Sequence, residues 1–264
     1  MNKLEIKKQK LERFGEEKLN KQKSPMKIVE YNSATDIVVK FQDNYGFEVR
    51  TCYDSFRSGS IRNPYHPSIY NVGIVGDGYK TCLNYKHTKE YQVWTDMLKR
   101  CYSEKFKKKW YTYQDVTCCE EWLLFENFYE WLHKQENFDK WLNDEKWELD
   151  KDILIKGNKV YSPNSCCLVP NNINSLFLKR NADRGSYPIG VSICKNGFQS
   201  RCKNPLTKKD EYLGSYKTIE EAFQAYKKRK EDLIKQIAQI EYSEGNISNQ
   251  CYNAMMNYQV EITD

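Results

Sequence analysis

Apolar and polar positions follow different rhythms along this chain. From Lys27 to Tyr85 the rhythm is short: Ile37-Val-Val-Lys-Phe41 alternates, Asp43-Asn44 marks a turn, and Gly46-Phe-Glu-Val-Arg50 reads as the partner strand. Gly59, Asn63-Pro64, Pro67, Gly73, Gly76 and Gly78 then cut the chain into short extended pieces, so residues 26–88 are expected to form a small β module. From Lys89 to Trp141 the period lengthens. Tyr91, Trp94, Met97 and Leu98, and then Trp122, Phe125, Phe128 and Trp131, recur at helix spacing and are expected in a core. Residues 1–25 are charged, with Leu4, Leu11 and Phe14 as isolated apolar positions, and read as an exposed leader helix closed by Pro25.

Period two returns at Gly190-Val-Ser-Ile-Cys. Asn196-Gly197 is a strong hairpin signal, because both residues tolerate φ > 0. The next strand, Phe198 to Lys203, sets Gln199, Arg201 and Lys203 on one parity and Phe198, Ser200 and Cys202 on the other. Asn204 to Asp210 is a polar turn, and Glu211 to Tyr216 a short third strand. Thr218 and Glu221 have the spacing of a capping box and open a helix. Its apolar stripe of Ala222, Ala225, Tyr226, Leu233 and Ile237 is able to cover one sheet face. The other face is left basic, with Lys195, Arg201, Lys203, Lys208 and Lys209. The expected fold class is α+β: a small N-terminal β module, a helical centre, and a three-stranded antiparallel sheet with a packing helix. The expected divisions are 1–25, 26–88, 89–182 and 183–264. Asn181-Ala-Asp-Arg-Gly185 reads as a polar joint, and a fragment beginning near Arg184 is expected to fold by itself.

Charge and cysteine content narrow this picture. Lys and Arg number 42 against 36 Asp and Glu, a formal net charge of +6, so a basic surface that matters must be local. One such place is the short run Lys105, Lys107, Lys108 and Lys109, a plausible phosphate contact. No apolar run approaches membrane-spanning length, and the Lys/Glu-rich N-terminus is unlike a signal peptide, so a cytoplasmic protein with no membrane partner is expected. Ten cysteines in that setting imply reduced thiols. The vicinal pairs Cys118-Cys119 and Cys166-Cys167 lack the two-residue spacing of a zinc knuckle and read as structural thiols.

Residues 149–174 carry the candidate chemistry. A strand with Asp150 and Asp152 leads to a Gly157-Asn158 turn and a Tyr-Ser-Pro loop. A short strand at Cys167 to Val169 follows, then a helix bearing Asn172 and Asn174. On a continuous strand, Asp150 and Asp152 share one face and Lys151 takes the other. Two carboxylates so placed could hold a divalent ion at a scissile phosphate.

Together with Trp94-x-x-Met97-x-x-Arg100-Cys101 and Cys119-Glu-Glu-Trp122, this stretch resembles phage proteins of the HNH (ββα-metal) endonuclease type. The resemblance covers roughly residues 90–180. It implies a metal-dependent, homing-type DNA endonuclease using Mg²⁺ or Mn²⁺. Asp150 or Asp152 would be the metal carboxylate, Asn172 or Asn174 the ligand from the helix, and Lys151 stands where the family has its general-base His. His66, His87 and His133 lie elsewhere, and a lysine with its ordinary pKa of about 10.4 is a poor base near neutrality. An active centre and a degenerate one, in which Asp150, Lys151 and Asp152 make ion pairs, both stay open. Gly59-x-Ile61-x-Asn63-Pro64 and Val72-Gly73-x-x-Gly76 resemble the N-terminal module of the same phage proteins.

Gly190-Val191-Ser, Phe198-x-x-Arg201, Leu213-Gly214-x-Tyr216 and Glu221-Ala222-x-x-Ala225-Tyr226 resemble the Apetala-type (ethylene-response-factor) DNA-binding domain. That resemblance implies a sheet entering the major groove of double-stranded DNA, with contacts from Lys195, Phe198, Gln199, Arg201, Lys203, Lys208 and Lys209. Phe198 stands in place of the family's usual Trp, and Ser200 in place of Ala. The expectation is a phage-type DNA-binding protein that acts as an endonuclease. The alternative is a non-catalytic DNA-binding regulator, and a third reading is an interaction protein whose basic sheet meets an acidic partner.

Overall fold

The computed structural model describes residues 12–177 and 186–264. The fold is α+β with several separate sheets, and the chain divides into two compact units. The first holds the described residues up to Tyr111 together with Glu120–Tyr129. The second holds Thr112–Cys119 and the described residues from Glu130 to Asp264.

In the first unit β1 (Glu17–Leu19), β2 (Pro25–Ser33), β3 (Asp36–Phe41) and β4 (Glu48–Thr51) make an antiparallel sheet in that order. Ile37, Val39 and Phe41 face the core as their alternation requires, beside Met26 and Ile28 of β2. The next buried residue of β2 is Tyr31, three positions on. A register shift between Ile28 and Glu30 inserts the extra residue and turns Tyr31 inward. The leader helix expected over residues 1–25 is corrected from Glu17 onward; Glu12 and Arg13 are helical. Glu17–Leu19 is an edge strand, and Pro25 opens β2 instead of closing a helix, because Leu19 and Pro25 are paired across the ladder. Leu4 and Leu11 lie outside the described residues.

The β module also contains a helix that alternation does not predict. α1 (Tyr53–Ser58) buries Phe56 and stops at Gly59, whose φ of 67° suits a residue without a side chain. One buried residue in six leaves no period to read. Beyond it, β5 (Cys82–Leu83) and β6 (Lys86–His87) form a short hairpin, and α2 (Lys89–Tyr102) and α3 (Glu104–Lys109) follow. Trp94 of α2 is fully buried and donates from its indole to the Trp122 carbonyl at 2.8 Å, while its ring lies 5.3 Å from that of Phe125. Of the aromatics expected in a core, Trp94, Trp122, Phe125 and Phe128 are fully buried, whereas Tyr91 and Trp131 are only partly buried. Gly76-Asp77-Gly78 has a fixed partner too: the Glu126 carboxylate accepts from the Asp77 and Gly78 amides at 3.0 and 2.8 Å. A Cβ on Gly76 would meet that carboxylate at 2.2 Å.

The second unit begins with β7 (Thr117–Cys118), paired in parallel with β9 (Val160–Tyr161). α4 (Phe125–His133) begins in the first unit and passes into the second at Glu130, and α5 (Phe138–Asn143) leads to β8 (Trp147–Asp150), which pairs antiparallel with β10 (Cys167–Pro170). α6 (Asn171–Asn174) is a single turn. Then come β11 (Val191–Cys194), β12 (Gly197–Lys203) and β13 (Asp210–Tyr216), a three-stranded antiparallel sheet in chain order. α7 (Ile219–Ser243) and α8 (Asn249–Met256) complete the unit. The capping box is present: Thr218 accepts from the Glu221 amide and the Glu221 carboxylate accepts from the Thr218 amide.

One core runs through this unit. Ile153, Cys167, Val169, Ile173 and Leu176 belong to the same buried cluster as Val191, Cys202, Ala222, Tyr226, Leu233, Ile237, Cys251 and Met255. The 25-residue α7 is about 38 Å long at 1.5 Å per residue, long enough to serve both ends. Near its start, Tyr226 packs where a Cβ on Gly190 would collide at 2.0 Å. Near its end, Glu241 accepts from Asn172 at 2.7 Å. The two compact units do not divide at 88 or 182. Residues 89–111 belong with the β module, and residues 147–177 share their core with the C-terminal sheet. The joint expected at 181–185 lies outside the described residues.

Candidate nucleic-acid interface

The two places where chemistry is expected have opposite local structures. Over residues 147–174 two antiparallel strands and a following helical turn are present, with Cys167 opposite Asp150. The strand, however, ends at Asp150. Its Oδ1 accepts from the amides of Asp152 at 2.7 Å and Ile153 at 2.8 Å, which folds the chain into an Asx turn. Asp150 and Asp152 thus do not share a strand face. Lys151 is corrected as well: it does not point away from the acids, because its Nζ donates to Asp152 Oδ1 at 2.7 Å and to the Asn158 carbonyl at 3.0 Å. Asn158 closes the loop by donating to the carbonyls of Lys151 and Val160.

The two asparagines expected as ligands from the helix each donate to a carboxylate elsewhere in the fold: Asn172 to Glu241, 69 residues away in sequence, and Asn174 to Glu148. Asp150 is buried, and burial is the main influence raising its pKa, opposed by the two backbone hydrogen bonds. Among the described residues no group of three or more His, Cys, Asp or Glu is placed to hold a metal ion. Of the donors expected around Mg²⁺ or Mn²⁺, Asp150 Oδ1, Asp152 Oδ1 and the side-chain amide nitrogens of Asn172 and Asn174 have hydrogen-bond partners inside the fold. The neighbouring thiols are structural. Cys166 and Cys167 are buried, and burial pushes the Cys166 thiol up to about 12.

The C-terminal sheet is open where this turn is closed. Val191, Ser200 and Cys202 face the helix side and are buried; Ser192, Arg201, Lys203, Tyr212 and Ser215 are exposed. The register brings the outer residues into rows: Ser192 beside Gln199 beside Ser215, Arg201 beside Tyr212, and Lys203 beside Asp210. Gln199 donates to Ser192 at 3.1 Å, and Tyr212 and Ser215 share a 2.7 Å hydrogen bond. The Arg201 guanidinium lies 5.7 Å from the centre of the Tyr212 ring. Lys195 sits in the turn at one end of β12, and Lys208 and Lys209 in the loop at its other end. The seven residues of β12 span about 20 Å, so the cations form a line along one strand. Asp210 interrupts it beside Lys203.

Three details differ from expectation. The two-residue turn is Lys195-Asn196, with Gly197 already paired to Cys194. Phe198 lies on the helix side, packed against the core and 5.6 Å from the Tyr187 ring, and so stands apart from the other proposed contacts. Tyr212, absent from the expected set, is 56 % exposed beside Arg201. Alternation along Glu211–Tyr216 alone does not place it, because an irregularity between Ser200 and Arg201 resets the pairing. On the inner side, Arg229 of α7 makes two hydrogen bonds to Glu211, at 2.6 and 3.0 Å, and these bonds are the main reason the Glu211 pKa falls to about 2.

No protein-family model, no curated protein and no solved structure matches this chain. No helix among the described residues is long and apolar enough to cross a membrane.

Proposed function

We propose that this protein binds double-stranded DNA through the outer face of β11–β13 and does so without cutting it. The observation that carries the reading is the split of β12: Ser200 and Cys202 are buried against the core, while Arg201 and Lys203 project from the same strand into solvent. A rigid sheet with one face packed holds its cations at fixed spacing, which suits a ligand of regularly spaced phosphates. Arg201 is the residue suited to read a base, since its planar fork can bind guanine O6 and N7 together. Lys195, Lys203, Lys208 and Lys209 suit phosphates, which position the sheet without reading sequence. The HNH-like turn then supports the core, and no catalytic step is assigned to it.

The test is titration of labelled duplexes by the full chain across a salt series, with and without Mg²⁺ or Mn²⁺. Arg201→Ala with Lys203→Ala is expected to weaken binding and to flatten the slope of log affinity against log salt by about 0.9, for the one phosphate contact assigned to Lys203. An unchanged slope in a folded variant removes the sheet from the interface. Metal-dependent nicking that disappears in Asp150→Asn would restore the endonuclease reading.

A further inference from the structure

The first unit carries a second cationic surface of a different character. Between Lys99 and Tyr111 there are six basic residues and one acid, Glu104, in a chain whose formal net charge is only +6. Most of the chain's charge imbalance is thus concentrated in thirteen residues. Their apolar residues are not all used by the core. Trp110 is 49 % exposed and Tyr111 75 % exposed, although Trp94 and Trp122 in the same unit are fully buried. The geometry is ordered by cations and rings in turn: Lys99 Nζ lies 5.9 Å from the centre of the Phe106 ring, the Phe106 and Trp110 rings are 6.5 Å apart, and Lys109 Nζ lies 5.4 Å from the Trp110 centre. α3 is held at its start by Ser103, which accepts from the Phe106 amide, so the lysines project from a defined helical turn.

Exposed rings among closely spaced lysines match two features of one ligand. The lysines suit a chain of phosphates, and the ring faces suit flat, unpaired bases. A duplex offers the phosphates but hides its base faces inside the stack. We infer that the segment Lys99–Tyr111 is a binding surface for single-stranded nucleic acid, with Lys105, Lys108 and Lys109 on phosphates and Trp110 and Tyr111 stacking on bases. This surface lies in the other unit from the β11–β13 sheet and does not depend on the sheet's reading of duplex DNA.

The experiment is fluorescence anisotropy of the full chain with a labelled oligothymidylate and, separately, a labelled duplex. Trp110→Ala with Tyr111→Ala is expected to weaken oligothymidylate binding roughly tenfold or more, as loss of base stacking does, with duplex affinity unchanged. Lys105→Ala, Lys108→Ala and Lys109→Ala together are expected to flatten the single-strand salt slope by about 2, at 0.7 per phosphate. Arg201→Ala with Lys203→Ala should leave oligothymidylate binding intact, which separates this inference from the sheet's role. Wild-type protein that ignores the oligothymidylate overturns the proposal. So does a Trp110/Tyr111 variant, with an unchanged melting curve, that binds the oligothymidylate as tightly as wild type.

Discussion

The turn from Asp150 to Asn158 and the outer face of β11–β13 are both rich in polar side chains, and they use them in opposite ways. In the turn the polar groups close on one another: Asp150 on two amides, Lys151 on Asp152 and Asn158, Asn158 on two carbonyls. On the sheet Arg201 and Lys203 end in solvent, with Lys195 and Lys208–Lys209 beyond them. Hydrogen-bonding capacity already committed inside a fold stabilises that fold; capacity left open is what a ligand can use. Acidic spacing, the hairpin-helix layout and family likeness together pointed to catalysis in the turn. Partner by partner, its hydrogen bonds tie the turn to itself.

The largest effect expected from this contrast concerns folding. Residues 186–264 without the rest lose Ile153, Cys167, Val169, Ile173 and Leu176 from their core. Burying such side chains contributes about 1.5–3 kcal/mol each for the large aliphatic ones, against a total stability of about 5–15 kcal/mol for an ordinary domain. The fragment should show no cooperative thermal transition. A sharp melt would separate sheet and turn into independent modules and break the comparison.

A smaller effect separates two substitutions at one position. Asp150→Ala removes the acceptor of two amides and should destabilise by about 2–6 kcal/mol, at 1–3 kcal/mol per unsatisfied buried group. Asp150→Asn keeps the acceptor oxygen and removes a charge that burial disfavours, so at pH 7 it should be neutral or stabilising by urea denaturation. The sign with pH follows from the raised pKa. In the window between the ordinary carboxylate value and the raised one, the folded protein binds the extra proton. Wild type should therefore gain stability on Asp150→Asn as pH falls through that window. Equal damage from both substitutions would contradict the scaffold role.

The smallest effect lies on the inner side of the sheet, where Glu211 meets Arg229. Glu211 is held below its ordinary value, at about 2, so its contribution is complete above the ordinary value near 4.5 and is lost as pH falls through about 2. Glu211→Gln should lower the melting temperature slightly at pH 6 and converge with wild type near pH 2. A difference that persists there would mean the pair acts through packing.

Much of the sheet was legible in sequence, because its information is local. Period two put Gln199, Arg201 and Lys203 on one parity, and the Thr218–Glu221 spacing marked the start of α7 within one residue. Phe198 was placed among the contacts by family likeness, although its own parity sets it with Ser200 and Cys202, where it is found. The Asp150–Asp152 reading failed at a local competition: an Asp side chain can capture the next amides and end a strand, and spacing does not reveal when it does. The partner of Asn172 was invisible for another reason. Glu241 lies far along the chain, and no repeat or motif connects the two.

The reach of α7 also sets an order of events during synthesis. Strands β8 and β10 can pair as soon as residues 147–170 have emerged, but the apolar side chains behind them meet their partners only when α7 and α8 have followed. Contacts separated by some seventy residues, such as Asn172 with Glu241, close late and slow the search for the native state. Until then the nascent hairpin presents Cys167, Val169 and Ile173 uncovered, an apolar surface of the kind that chaperones engage. A ribosome that stalls between residues 177 and 219 would hold the chain in that state.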